Sequence, residues 1–322
     1  MPKVTIGMPV YNGENFIRDA FNSILAQTYS DWELVISDNA STDRTEQICR
    51  EYAQRDHRIH YYRSAKNLGA SWNYVRVFQL ASGEYFKWAA HDDMIAPDFL
   101  RKCVDVLDRD PGVVVVYART QFIDETGNFV GTYDPDTSGF DSPKPRDRFR
   151  VRTSRIRPPF PFVKRMLEDA HAVFGLIRTD ALKSVPPLGN YGASDQILLA
   201  QLALRGRFHR IPEYLFFNRD HQQRSIRAYS GRRRQTLWLD PGMRRKVYFA
   251  EWRMLREFVR SVQVAPLERV ERFLCYWEIS KYFMWNSPRL ALDPLRAVRQ
   301  FLTGMITGGR CGPIRSQDGI PH

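Results

Sequence analysis

"VTIGMPVYNGENFIRDAFNSILAQTYSDWELVISDNASTDRT", residues 4–45, decides the fold. Val4 to Pro9 is an apolar, strand-like run. Phe16, Ile17, Ala20, Phe21, Ile24 and Leu25 recur at helical spacing within Glu14 to Gln27, and Trp32 to Ser37 is a second strand. The same alternation continues outward from this stretch. Helices are predicted over Thr42–Gln54, Gly69–Ala81 and Ala96–Asp108, and strands over Ile59–Tyr62, Glu84–Trp88 and Val113–Tyr117. Strands alternating with helices of about three turns imply an α/β fold with a parallel sheet covered on both faces. In such sheets ligands sit beyond the carboxyl ends of the strands.

Each predicted strand runs out into polar or turn-forming residues: Pro9 to Glu14, Asp38 to Asp43, Lys66 to Gly69, and His91-Asp92-Asp93. These ends must share one edge, so the crevice they line is built for a polar ligand. Asp92 and Asp93 stand out because each raises the cost of ionising the other unless a cation or several donors lie between them. As a helix N-terminal charge ahead of Pro97, one acid is explained and two are not. Asp38 in "DNASTD" is also a natural Asx-turn residue, and Glu14 a natural first-turn acid.

Composition limits the alternatives. The chain of 322 residues is 43% hydrophobic, enough for a large core. No apolar run approaches the roughly 18 residues that span a bilayer, and the N-terminus enters a strand without a signal-peptide pattern, so an intracellular protein is expected. Cys49, Cys103, Cys275 and Cys311 lie far apart, which argues against a zinc site and a disulfide framework. The net charge of +12 is uneven: residues 1–110 hold 13 Lys and Arg against 16 Asp and Glu, leaving 35 against 20 for the rest. A basic body of this kind suits a polyanionic surface, nucleic acid or an anionic membrane.

Residues 134–165, rich in Pro, Arg, Asp and Ser, read as a long surface loop. Order resumes at Ala172–Ile177, with a helix over Asp195–Arg205 and a strand over Arg210–Phe217. The chain then becomes helical and basic, with candidate helices Arg244–Val262, Pro266–Trp285 and Pro294–Ile306, and a frayed end from Gly309.

The opening stretch, with "KNLGASWNYVRVFQLASGEYFKWAAHDD" (residues 66–93), resembles family 2 glycosyltransferases, the inverting, nucleotide-sugar-dependent enzymes with the GT-A fold. The resemblance covers roughly residues 3–225 and rests on five elements in order. It implies a GT-A domain over 1–230, with a nucleotide-binding half to 117 and an acceptor half beyond, followed by a basic helical extension over 231–322. It also implies a nucleoside diphosphate sugar donor, UDP- or dTDP-linked, a glycan or lipid-linked acceptor, and a divalent cation, Mn²⁺ or Mg²⁺.

Carried over position by position, the resemblance implies Pro9, Tyr11, Glu14, Asp38 and Asn67 around the nucleotide. Asp92 would reach the ribose or sugar, Asp93 would be the direct metal ligand, and Asp195 the general base. His221 would complete the metal or diphosphate shell, while Arg224 and Ser225 would bond phosphate, and His171 is a weaker candidate for the same shell. Two positions depart from the family pattern: Ala90 stands where many members carry a further Asp, and Asn39 where many carry Asp. A metal-dependent nucleotidyltransferase would want basic residues just after the first strand, and "MPVYNGENF" has none. A nucleic-acid-binding protein would need a recognisable binding motif, and none is present. The expected location is the cytoplasm, peripheral on an anionic membrane face.

Overall fold

The computed structural model describes residues 1–134, 137, 139–154, 168–224 and 232–306. Its first part follows the predicted alternation: β1 (Val4–Val10), α1 (Ile17–Leu25), β2 (Trp32–Asp38), α2 (Thr45–Arg55), β3 (Ile59–Arg63), α3 (Ala70–Gln79) and β4 (Tyr85–Trp88). A short β5 (Met94–Ile95) precedes α4 (Phe99–Arg109) and the long β6 (Val113–Ile123). Strands β3, β2, β1 and β4 lie side by side in that order, all parallel. Their carboxyl ends therefore meet at one edge.

Every residue of β1 is buried, as two-sided coverage requires. One face packs Ile6, Met8, Leu34 and Ile36 against α1, α2 and α4; the other packs Phe86 and Trp88 against Val77 of α3. Beyond β4 the sheet is mixed. β8 (Leu176–Arg178) runs antiparallel to β4 and β6, β9 (Arg207–Arg219) runs parallel to β6, and β7 (Phe129–Tyr133) and β5 are antiparallel to β6 and β9. Helix α7 (Ser194–Ala203) covers this half, burying Leu198, Leu199 and Leu202.

Two expectations are corrected. The predicted loop 134–165 contains helix α5 (Pro145–Ser154), preceding α6 (Thr179–Lys183) in the chain. Its signal was hidden because it buries a guanidinium beside Phe149: Arg148 Nε donates to Ala203 O at 2.6 Å and Nη1 to Ser142 O at 2.6 Å. At the C-terminal side, α8 (Arg232–Leu239) and a 3₁₀ turn (Pro241–Arg245) lead into α9 (Ala250–Val264). The two helices predicted over 266–306 are then one, α10 (Arg269–Ile306), with Pro288 and Pro294 inside it.

An internal proline frees the carbonyl four residues earlier. Here both freed carbonyls find side-chain donors. Ser287 Oγ donates to Met284 O at 2.9 Å, and the Trp252 indole N–H of α9 donates to Leu290 O at 2.9 Å. Asp293 in turn accepts from the N–H groups of Glu251 (2.8 Å) and Trp252 (3.3 Å), capping α9. Helices α9 and α10 thus lock into a hairpin, whose Met254, Phe258, Val262, Ile279 and Tyr282 share a core with Phe149, Tyr191 and Ile197.

Candidate active site

The edge where β1 to β4 end has two parts. The first is the corner formed by the loops after β1, β2 and β3. Asp38 is fully buried at the end of β2, where its Oδ1 accepts from Ser41 N (2.8 Å) and its Oδ2 from the Tyr61 hydroxyl (2.7 Å), with Arg63 Nε at 3.4 Å. Asn39 and Asn67 pair through their amides: Asn39 Nδ2 donates to Asn67 Oδ1 at 2.9 Å, and Leu68 N to Asn39 Oδ1 at 2.9 Å. Asn at 39, in place of the acid usual in the family, supplies the donor this pairing needs.

Gly13 N donates to Thr45 Oγ1 and Asn12 N to Ser41 Oγ, while Glu14 Oε2 accepts from Arg44 N at 3.0 Å. Gly69 adopts φ +92°, and a Cβ there would lie 2.5 Å from Leu239 O, so only glycine lets α8 close on this turn. Pro9 is buried in β1, and Tyr11 stands at the rim, 42% exposed.

The second part is the carboxylate centre. Asp93 is buried, accepting from Arg219 N (2.9 Å) and from Asn218 Nδ2 on both oxygens (3.0 and 3.1 Å). Asp92 Oδ2 lies 2.9 Å from His221 Nε2. Burial first, and then the charge of Asp92, push the Asp93 carboxyl well above its ordinary range. Burial acts on Asp92 in the same sense, but His91 and His221 outweigh it and hold Asp92 low. One acid is thus kept charged at its neighbour's expense.

Arg219, 1% exposed, locks this centre from behind. Its Nε donates to Asp92 O (3.0 Å), Nη1 to Glu125 O (2.8 Å) and Nη2 to Asp19 (2.8 Å). Asn218 and Asp19 carried no sequence signal of this role: one lies where β9 outruns its predicted end, the other on the exposed side of α1.

Asp195 sits in the first turn of α7, half-buried, its Oδ1 accepting from Gln196 N at 2.9 Å. The residue before the helix is Ala193, at φ +66°, and it makes no side-chain cap. Tyr74 of α3 ties Asp195 to the other acids: burial, then Asp92, Asp93 and Asp195, raise its phenol. The charges of all three carboxylates thus act on one phenol, which the sequence did not single out.

Arg224 contributes positive charge near Asp93 and near His171. His171 Nδ1 meets Thr120 Oγ1 at 3.2 Å among the rings of Phe122, Tyr133 and Phe216, and burial, helped by Arg224, holds it down at about 3. Lys87 in β4 is 1% exposed; Nζ donates to Phe174 O, and burial lowers it to about 8. Ser225 lies outside the described residues.

Among the described residues no group of three or more His, Cys, Asp or Glu side chains is arranged to hold a metal ion. The oxygens of Asp92 and Asp93 nevertheless suit a hard divalent cation. Asn218 Oδ1, buried with no hydrogen-bond partner, adds an unused hard acceptor beside them. His221 is spent on Asp92 in this arrangement.

The profile of Glycosyl transferase family 2 matches residues 5–182. The chain belongs to this family. An uncharacterized glycosyltransferase of Rickettsia typhi is 35% identical over 136 residues, 42% of each chain. A Bacillus subtilis glycosyltransferase named for teichuronic acid biosynthesis is 33% identical over 106 residues, covering 33% of this chain and 42% of its own. The matches thus span less than half of these relatives.

Among solved structures, Staphylococcus aureus TarS 1–349 in complex with UDP-GlcNAc superposes with a TM-score of 0.62 at 17% identity, covering 94% of this chain and 79% of that one. A mannosyltransferase from Pyrobaculum calidifontis in complex with GDP-Man and Mn²⁺ gives 0.53 at 17% identity, covering 97% and 76%. The fold is the GT-A glycosyltransferase fold.

Proposed function

We propose that the protein transfers a sugar from a nucleoside diphosphate sugar to an acceptor hydroxyl, with inversion at the anomeric carbon, in the synthesis of a cell-surface polysaccharide or glycolipid. The observation that carries this reading is the adjacent acid pair just beyond the carboxyl end of β4, with Asp93 buried against Asn218 Nδ2 and Arg219 N and Asp92 against His221 Nε2. Family membership and the likeness to a UDP-GlcNAc complex support the donor class.

The step follows from roles the chain can fill. Asp195 accepts the proton of the acceptor hydroxyl as its oxygen attacks the anomeric carbon. The bond from that carbon to the diphosphate breaks, and the nucleoside diphosphate leaves on the opposite face. Arg224 faces the charge that develops there, being suited to bidentate phosphate contact. A divalent cation, held by Asp93 and Asp92 with the donor's phosphates, would neutralise that leaving group.

Tyr11, exposed at the rim, stacks on the base in this reading. Asp38 and Asn67 act through the loops they hold, since their oxygens are already taken. Pro9 and Glu14 shape the floor of the same corner.

A panel of nucleotide sugars, tested with and without Mn²⁺ or Mg²⁺, checks the reading. Nucleoside diphosphate should be released from one donor class, and the product linkage, read by nuclear magnetic resonance, should be opposite to the donor's. If no nucleotide sugar binds or turns over with cation present, the proposal is wrong.

A further inference from the structure

Helix α10 turns an unusual face to solvent. Val270 (69% exposed), Phe273 (68%), Trp277 (55%), Met284 (57%), Leu292 (45%) and Leu295 (69%) follow one another at spacings of three, four, seven or eight, so they form one stripe. At 38 residues the helix is about 57 Å long. The stripe covers about 38 Å of it, and an apolar stripe of that length on a folded domain is a contact surface in want of a partner.

Charge tells which partner. In α9 and α10 the acidic residues face inward: Glu251, Glu257, Glu278 and Asp293 are buried, and Glu271 accepts from Arg146 N. Apart from Arg253 and Arg272, which turn to Glu257 and to the Ala265 and Leu267 carbonyls, the basic residues do the opposite. Arg256, Arg260, Arg269 and Arg296 are exposed, and Lys281 and Arg289 lie partly so beside the stripe. A second copy meeting this face symmetrically would bring like charges together. No described helix is long and apolar enough to cross a bilayer.

We infer that α10 docks the protein on an anionic bilayer surface, lying in the plane of the interface with Phe273, Trp277 and Met284 inserted and the arginines at the headgroups. Aromatic and apolar residues beside long basic side chains are the composition of interfacial helices. The inference stands on the surface alone and does not depend on the sugar-transfer reading.

The test is flotation of the full chain with vesicles of phosphatidylcholine alone and of phosphatidylcholine mixed with phosphatidylglycerol. Binding is expected to the mixed vesicles and to weaken as salt rises toward molar, because each basic residue contributes through a screened attraction. Two variants separate the parts. Phe273→Ser/Trp277→Ser/Met284→Ser should lose at least about tenfold in vesicle partition. Arg289→Gln/Arg296→Gln should lose mainly the salt-sensitive part. Circular dichroism should show both folded, since all five side chains lie on the solvent side.

Tryptophan fluorescence of the full chain should shift to the blue on mixed vesicles, and less so in the triple variant. A protein that stays with the soluble fraction at low salt overturns the inference. So does a triple variant that binds as the parent does. If the parent instead self-associates and the triple variant is monomeric, the stripe is a contact between copies and the membrane assignment falls.

Discussion

The two halves of the strand edge are both rich in Asp and Asn, yet they differ in how their polar groups are spent. At the corner, Asn39 and Asn67 pair with each other, and both oxygens of Asp38 are taken, by Ser41 N and the Tyr61 hydroxyl. At the carboxylate centre, a buried acid and a partly exposed one stand side by side, the buried one pushed toward its neutral form, and Asn218 Oδ1 has no partner. A satisfied polar cluster fixes shape; an unsatisfied one stores binding capacity for something brought in. The corner is therefore the frame of the site and the centre its chemistry.

That contrast can be broken by substitution. Asp93→Asn should have the largest effect, lowering turnover by roughly 10²–10³ in a steady-state assay, on the scale of lost charge stabilisation. Its melting temperature should stay level or rise, because a buried repulsion is removed and a rotated Asn218 amide can accept from the new NH₂. A large loss of stability would mean the pair is structural after all.

Arg219→Met should unfold more readily by roughly 3 kcal/mol, since several buried acceptors lose a charged donor together. Urea unfolding reads it, and a change below about 1 kcal/mol would remove Arg219 as the lock.

At the corner, Asp38→Ala should cost about 2 kcal/mol of stability, leaving the buried Ser41 N–H and the part-buried Tyr61 hydroxyl unpaired. Turnover of its folded fraction, measured well below the melting temperature, should stay within about tenfold of the parent. A folded protein with turnover lost by 10³ or more, an order-of-magnitude mark, would move Asp38 from frame to chemistry.

Lys87 gives the smallest effect and a pH signature. Its amine, packed near Phe99, Phe216, Cys103 and Asp93, titrates at about 8 in place of 10.5. Between those values the unfolded chain holds a proton that the folded chain has released, so stability gains from this group as pH rises through the window. Below about 8 the charged amine is buried in full and the contribution is flat. Lys87→Met should lose that slope relative to the parent in urea unfolding at pH 8 and pH 10. Identical slopes would show that Lys87 finds solvent.

Much of this was legible in the sequence because the parallel half announces itself. Each of its strands is an apolar run and each helix repeats at 3.6 residues, so the elements over 4–109, the two-residue β5 excepted, came out within a few residues of their ends. The later half hides its signals. β6 and β9 continue past their apolar cores into alternating polar residues, α5 buries an arginine, and α10 runs through two prolines because Ser287 and Trp252 supply the missing donors. Asp92, Asp93 and Asp195 were visible as acids at strand and helix ends, but Arg219, Asn218 and Tyr74 act through tertiary contacts that no local pattern encodes.

The most direct test of the division between frame and chemistry is Asp195→Asn, assayed for donor binding by calorimetry and for turnover in the same preparation. Asp195 lies in the first turn of α7, where Asn also accepts the Gln196 N–H, so the fold should be unchanged. The account predicts donor affinity within about threefold of the parent and turnover reduced by roughly 10²–10⁴, the range of a lost general base. Turnover equal to the parent's would reduce Asp195 to a helix-end residue and contradict the account.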